Sequence, residues 1–303
     1  YEQITPIKGL TIRAQQAVDA YDQRVHNYGF AKETLYTPMG DVYSGSVDPG
    51  EIELGYHQES FGRYYQFTYT NTAEYKFNLA KLHNFSVLLG EESIIMKSHS
   101  FGVFVDGFSD NRQLLLNQGT SVSVSSDISE SILQRSMNSI FFNLSYDFDN
   151  RYYFDFNLRR DGSSRFAPGH RWGTFFSVGG MWDAKAEKFL SDLTWLDAAK
   201  MRISYGTTGN SSFTDYGYFG LLGAGGLYDG TSSIGISQAA NPDLSWETVR
   251  AFDLGLNAGF LNRFNVDVDF YVKNTHDMLM QIPYSYTTGV SAGWGNVGSM
   301  RNT

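Results

Sequence analysis

The first segment that invites a chemical reading is Gly206-Thr207-Thr208-Gly209-Asn210. It is glycine-rich, but it lacks the Gly-Lys-Ser/Thr ending whose lysine and hydroxyl a phosphate loop needs. It therefore reads as the exit of a strand into a loop. Gly223-Ala224-Gly225-Gly226 has no strand-then-helix context, so it is not a dinucleotide fingerprint. The six histidines, His26, His57, His83, His99, His170 and His276, show no ligand spacing such as His-Glu-x-x-His. A metal site could arise from them only by tertiary convergence, and the sequence assigns none. Cysteine is absent, which removes disulfides, thiolate nucleophiles and Cys-based metal sites. A Ser/His/Asp arrangement cannot be argued from residue types alone in a chain this long. The expectation is a protein with no catalytic residues and no cofactor.

Recognition chemistry is better represented. Arg160, Asp161 and Arg165 could hold a polar substrate. The alternative is local: Asp161-Gly162-Ser163-Ser164 suits a turn, because Asp and Ser bond nearby backbone and Gly takes positive φ. The arginines would then pair with carboxylates or head-group phosphates. Between 209 and 244, Phe213, Tyr216, Tyr218, Phe219 and Tyr228 sit among Gly and Ser, and Tyr284, Tyr286 and Trp294 form a second such group. Aromatic faces stack on sugar rings or apolar side chains, and Tyr adds a polar tip. The same rings could equally pack against neighbouring loops or a covering partner. Nucleic acid is excluded as a partner, because a formal net charge of −9 offers no basic footprint.

The elements that would position these residues follow a period of two. Tyr152, Phe154, Phe156 and Leu158 alternate with Asp155, Asn157 and Arg159; Ile140, Phe142, Leu144, Tyr146 and Phe148 alternate with Asn143, Ser145 and Asp147. Asp147-Phe148-Asp149-Asn150 is the polar turn of that hairpin. Phe252 to Phe260 and Val266 to Val272 form a second hairpin around 261–264. Tyr65 to Leu79 and Phe85 to Leu89 form a third around 80–84. Weaker strands are expected around 10–20, 172–182 and 200–207, about ten in all. Short turns alternate with long connections at about 20–61, 98–134, 209–244 and 281–296. A longer link at 183–195 is the exception on the short side. Short turns at one end and long loops at the other are the pattern of an outer-membrane barrel.

Composition agrees. Aromatic residues make up 16% of the chain and charged residues 18%, below the ~25% of a typical soluble domain. No apolar run approaches the ~20 residues of a transmembrane helix. A soluble β-sandwich would also alternate, but three features favour the membrane barrel. The polar face carries Asp155, Arg159, Asp267, Asp269 and Lys273, which fits a wet lumen. The strands are long. Aromatics such as Tyr152, Trp172, Trp182, Trp195 and Trp246 sit at strand ends, where barrels carry interfacial girdles. The fold class is therefore all-β, an antiparallel transmembrane β-barrel.

Several longer motifs resemble one family. Arg160-Asp161-Gly162-Ser163-Ser164-Arg165-Phe166, then Arg171-Trp172-Gly173 and the strand running on to Trp182, then Trp195 to Asn210, are similar to the central barrel of SusC/RagA-like, TonB-dependent outer-membrane transporters. Asn241 to Thr248, Phe270 to Leu279 and Asn296 to Asn302 resemble further landmarks of that family, in order. The likeness is strongest from about 140 to 303. It implies a 22-stranded barrel with a plugged lumen that imports oligosaccharides, peptides or other nutrients. It also implies energy from the TonB complex and an SusD-like surface lipoprotein over the mouth. No plug, TonB box, secretory leader or terminal aromatic is recognisable. The expectation is a mid-barrel portion, 1–303, of a bacterial outer-membrane importer. A passive porin-like channel and a non-transporting glycan-binding β-protein are the rival readings.

The face assignment predicts its own test. Arg at Phe154 or Phe270 should cost ~2–4 kcal/mol near the bilayer midplane, and Arg at Asn157 far less. Unfolding from lipid vesicles measures this, and equal losses at all three positions would overturn the assignment.

Overall fold

The computed structural model describes residues 1–33, 52–113, 115–121, 127–229 and 231–303, with some side chains in these ranges not described. The strands in chain order are β1 (Glu2–Ile7), β2 (Leu10–Gly29), β3 (Lys32–Glu33), β4 (Ile52–Glu53), β5 (Gly55–Leu79), β6 (His83–Phe108), β7 (Ile128–Phe148), β8 (Tyr152–Ser163), β9 (Trp172–Asp183) and β10 (Leu196–Asn210). They continue with β11 (Leu221–Tyr228), β12 (Thr231–Gln238), β13 (Glu247–Phe260), β14 (Phe264–His276), β15 (Leu279–Pro283), β16 (Ala292–Asn296) and β17 (Ser299–Asn302). Eleven of them form one sheet in the order β1-β2-β5-β6-β7-β8-β9-β10-β13-β14-β17. The remaining six pair as small hairpins, β3–β4, β11–β12 and β15–β16. The chain divides into two compact units: 1–17, 67–95 and 135–303 in one, 18–66 and 96–134 in the other.

The larger unit shows why the alternation reads as it does. Register carries each side chain's face to its neighbour: Phe142 opposes Leu158, Phe154 opposes Gly180, Ile203 opposes Gly180 and Leu254, and Leu254 opposes Phe270. One face is thus a continuous apolar surface, and Ile140, Phe154, Leu158, Phe176, Ile203, Leu256, Val268 and Phe270 on it are exposed. A soluble protein does not present so large an apolar band to water; a membrane wall presents it to lipid. The other face is a polar ladder. Asn143 accepts from Ser145 and donates to Asn157, which donates on to Ser177; Arg202 pairs with Asp269 at 2.7 Å, and Asn257 donates to Asp267 at 2.8 Å.

Three hairpin turns share one geometry. Ala80 and Lys81, Asp149 and Asn150, and Leu261 and Asn262 all have positive φ between 51° and 63°. Paired positive φ values are the mark of turns whose twist matches that of the flanking strands. Adjacent connections at this end are tied to each other: Asp149 N donates to Leu82 O between two short turns, and Leu261 N donates to Trp195 O at the end of the longer link. The longer link after β9 is held differently. Glu187 accepts from Tyr152 Oη at 2.6 Å, from Arg151 at 3.1 Å and from Trp182 at 3.4 Å. The hydrogen bond from Tyr152 leads in holding the Glu187 carboxyl below its ordinary pKa.

Several expectations are corrected. The eleven strands of the sheet agree with the expected count of about ten, but β5 and β6 run for 25 and 26 residues. They take in residues expected to lie in the connections 20–61 and 98–134. The connections 209–244 and 281–296 contain the hairpins β11–β12 and β15–β16. Trp246 is no girdle residue: it is buried, and its indole donates to Arg171 O at 3.0 Å. Residues 34–51 of the first long connection lie outside the described part.

Two outcomes are expected. Leu261→Gly relieves a left-handed leucine that costs about 1 kcal/mol, so it should raise the unfolding midpoint. Glu187 stabilises the fold above the ordinary carboxylate range, and that contribution is lost as pH falls through its depressed folded value. An acid titration of unfolding should therefore show a smaller loss in Glu187→Gln than in the parent chain.

Candidate functional site

The principal buried cluster of the larger unit lies at the root of its long loops, not between sheets. Phe166 and Leu244 are fully buried, and Phe175, Phe213 and Trp246 complete the cluster, with Tyr218, Leu279 and Trp294 packed against it. Phe166 sits 5.2 Å from Phe213 and 5.3 Å from Trp246, ring to ring. The cluster draws on three connections far apart in sequence, β8–β9, β10–β13 and β14–β17, and on Phe175 of β9, so it fixes where the loops begin.

The motif residues around 160–173 build this root. Asp161 is not in a turn: β8 continues through Ser163, and Asp161 is buried and bound by Arg159 Nε at 2.7 Å. Arg159 also reaches Glu92 and Ser139. Gly162 lacks positive φ, and its requirement is space, since a Cβ there would lie 2.9 Å from the Trp172 ring. Arg160 lies over that same ring at 5.4 Å. Ser164 N donates to Ser136 O, and its hydroxyl accepts from Ser136 N at 2.9 Å. Arg171 Nε donates to Phe166 O. Gly173 lies under Phe175, where a Cβ would meet the ring at 2.5 Å.

Arg165 is the charged centre. Its Nε donates to Asp215 Oδ1 at 2.8 Å and its guanidinium to Ser211 O at 2.8 Å. Arg135 approaches the other oxygen of Asp215 at 3.9 Å. The Asp215 side chain is only 8% exposed, so the pair is desolvated and each partner depends on the other.

The later landmarks converge on the same place. Asn296 accepts from Ser245 N and donates to Ser245 O, both at 2.8 Å, and Asn241 donates to Trp294 O. Glu247 accepts from Asn210 and from Leu279 N at 3.0 Å. Asp215, Arg135 and Ser136 were not singled out in the sequence. Their signal was faint, since each becomes meaningful only beside a residue from another strand or loop.

The aromatic candidates divide. Phe213 is a core ring. Tyr218 and Trp294 are half-buried against the cluster, with Trp294 5.7 Å from Phe213. Tyr216 is half-buried, and Tyr284 lies over Gly293, whose absent Cβ leaves room for its ring. Phe219 is exposed, 4.1 Å from Tyr218. The side chains of Tyr228 and Tyr286 lie outside the described residues. The arrangement is one of positioning: rings and hydrogen-bonding groups are held at fixed roots beside a polar strand face.

Removing one side of the buried pair should be costly. Asp215→Ala leaves Arg165 uncompensated, at about 3–5 kcal/mol. The expected readout is faster proteolytic cleavage within 211–246 in detergent, with Phe219→Ala as the silent control. Cleavage unchanged in Asp215→Ala would show that the pair does not hold the loop.

A family model described as TonB dependent receptor-like, beta-barrel matches residues 7–303. TonB-dependent receptor P39 of Formosa agariphila is 28% identical over 286 residues, covering 91% of this chain and 26% of that protein. TonB-dependent receptor SusC of Bacteroides thetaiotaomicron is 36% identical over 173 residues, covering 54% of this chain and 17% of that protein. Among solved structures, the RagAB peptide transporter superposes with a TM-score of 0.84 at 37% identity, over 99% of this chain and 32% of the matched one. The chain thus spans no more than about a third of the length of the proteins it matches.

Proposed function

Because the chain belongs to the TonB-dependent receptor-like β-barrel family, we propose that it is the mid-barrel wall of a SusC/RagA-like importer of the bacterial outer membrane. The observation that carries this reading is the likeness to the RagAB peptide transporter along 99% of the chain. The apolar face meets lipid and the polar ladder lines a lumen. Residues 1–303 form one barrel segment whose long loops face the cell exterior. Its edge strands in the sheet are β1 and β17. An unpaired edge in lipid costs several kcal/mol per backbone group, so this reading pairs both edges with further strands. Energised import also needs a plug and a TonB box, which the proposal places in additional sequence of the same polypeptide.

The cargo is a nutrient oligomer, an oligosaccharide or a peptide. Such cargo needs both ring faces and hydrogen-bonding groups, and the loop root supplies them through Tyr216, Tyr218, Phe219, Tyr284 and Trp294. Phe213 and the motif residues Arg160 to Gly173 serve by holding those loops in place. No step of this activity breaks a covalent bond in the cargo, so the protein is a transporter and not an enzyme.

An SusD-like surface lipoprotein is the proposed lid. Hairpin β11–β12 supports it: Leu222 opposes Ile236, Ile234 lies two residues on, and all three are exposed. An apolar patch at the loop end calls for a partner surface.

Uptake of labelled oligosaccharide and peptide mixtures by cells carrying the full-length polypeptide tests the reading. Uptake should stop when TonB is deleted. Uptake that persists without TonB would mean a passive channel. Ile234→Asp with Ile236→Asp should reduce co-purification of the lipoprotein from outer membranes at least tenfold, and unchanged recovery would remove that hairpin from the interface.

A further inference from the structure

The smaller unit holds a cluster that the import reading does not use. Strands β2 and β5 are neighbours in the sheet. Side chains two residues apart on a strand share a face, so His57 and Glu59 project together from β5, and His26 meets them from β2. His26 Nδ1 lies 3.8 Å from Glu59 Oε2, and His57 Nε2 lies 4.0 Å from the same oxygen. The three ligand atoms all fall within 4.8 Å of one another.

The state of His57 points to a ligand. It is 3% exposed, and among the described residues neither ring nitrogen has a hydrogen-bond partner. An imidazole carries at least one N–H, and its other nitrogen is a lone pair or a second N–H. Leaving such groups unpaired in the interior is costly. The ring is also held in orientation, stacked on Tyr28 at 4.3 Å and flanked by Phe108 at 6.5 Å. Glu59 is oriented as well, because Arg24 Nε binds Oε1 at 2.6 Å and leaves Oε2 facing the histidines. Partners that aim a ligand in this way are the usual outer shell of metal sites.

We propose that His26, His57 and Glu59 bind a divalent first-row transition metal, with Zn²⁺ the best match, and that the ion clasps β2 to β5. Two imidazole nitrogens and one carboxylate oxygen, with a fourth position open, form a donor set that Zn²⁺ accepts. Bond lengths of about 2.0–2.2 Å put neighbouring tetrahedral ligands about 3.4 Å apart. The two histidine–carboxylate separations therefore need to close by roughly half an ångström and the histidine–histidine separation by up to about 1.4 Å, and exposed His26 supplies that movement. His57 and Glu59 stand near the start of β5, the end away from its tight turn. Arg24 offsets part of the affinity by its charge, so a micromolar site is expected, not a picomolar one. Other histidine contacts, such as His99 with Glu130 and His170 with Asp243, have two members and no third ligand among the described residues. The proposal does not rest on the transport reading.

The test uses full-length protein purified in detergent, with any affinity tag removed and metal stripped by chelator. Titration with Zn²⁺ alone should reveal one equivalent bound, read by competition with a chromophoric chelator, together with a rise in the unfolding temperature. His26→Gln and Glu59→Gln alter the more accessible ligands and should fold. Each should weaken Zn²⁺ at least tenfold and abolish the thermal shift. His57→Ala should do the same where it folds. Co²⁺ in place of Zn²⁺ should give ligand-field absorption in the parent protein and none in His26→Gln. Equal Zn²⁺ binding by the parent and both surface variants, or no stoichiometric binding by the parent, would overturn the proposal.

Discussion

Backbone pairing across the strands is the constraint on which the rest depends. In lipid no water is available to satisfy a free N–H or C=O, so each spanning strand must be bonded on both sides. That requirement fixes antiparallel neighbours in register over their full spanning length, as between β7 and β8 or β13 and β14. Register then fixes face, and face decides composition. Phe270 and Leu254 end up together on the outside because their backbones are partners, and Asp269 and Arg202 end up within reach of each other on the inside.

An apolar outside leaves the sheet without an ordinary core. Rings that a soluble protein would bury between layers face lipid here, and the polar side holds itself together by hydrogen bonds such as Asn143 to Asn157 to Ser177. Packing in the usual sense is displaced to the ends of the strands. The cluster of Phe166, Phe175, Phe213, Leu244 and Trp246 is that displaced core. Its charged companion, Arg165 with Asp215, anchors a loop that has no sheet to lie against.

How much was legible follows the same logic. Turn positions, the parity of each spanning strand and the inside–outside assignment were readable, because lipid on one side and polar groups on the other impose a strict period of two. The outer reaches of β5 and β6 were not readable. Segments such as Ser93-Ile94-Ile95-Met96 do not alternate, so the period of two that marks the other strands gives no signal there. Asp161-Gly162-Ser163-Ser164 was misleading for a related reason. Its residues look like a turn, but Gly162 is there to admit Trp172, a fact about packing that composition cannot carry. The role of Asp215, and the meeting of His26 with His57 and Glu59, depend on strands brought together by the fold and have no local signature.

The tight turns also carry a consequence for kinetics. Hairpins closed at Ala80-Lys81, Asp149-Asn150 and Leu261-Asn262 bring together residues that are near in sequence, so each closes at little entropic cost. The seam between β10 and β13 is different, because its two strands are separated by the whole of 211–246. Contacts of greater sequence separation form more slowly. The sheet should therefore zip as preformed pairs, with the β10–β13 seam closing late. The loop-root rings, drawn from both sides of that seam, can pack together only once it has closed.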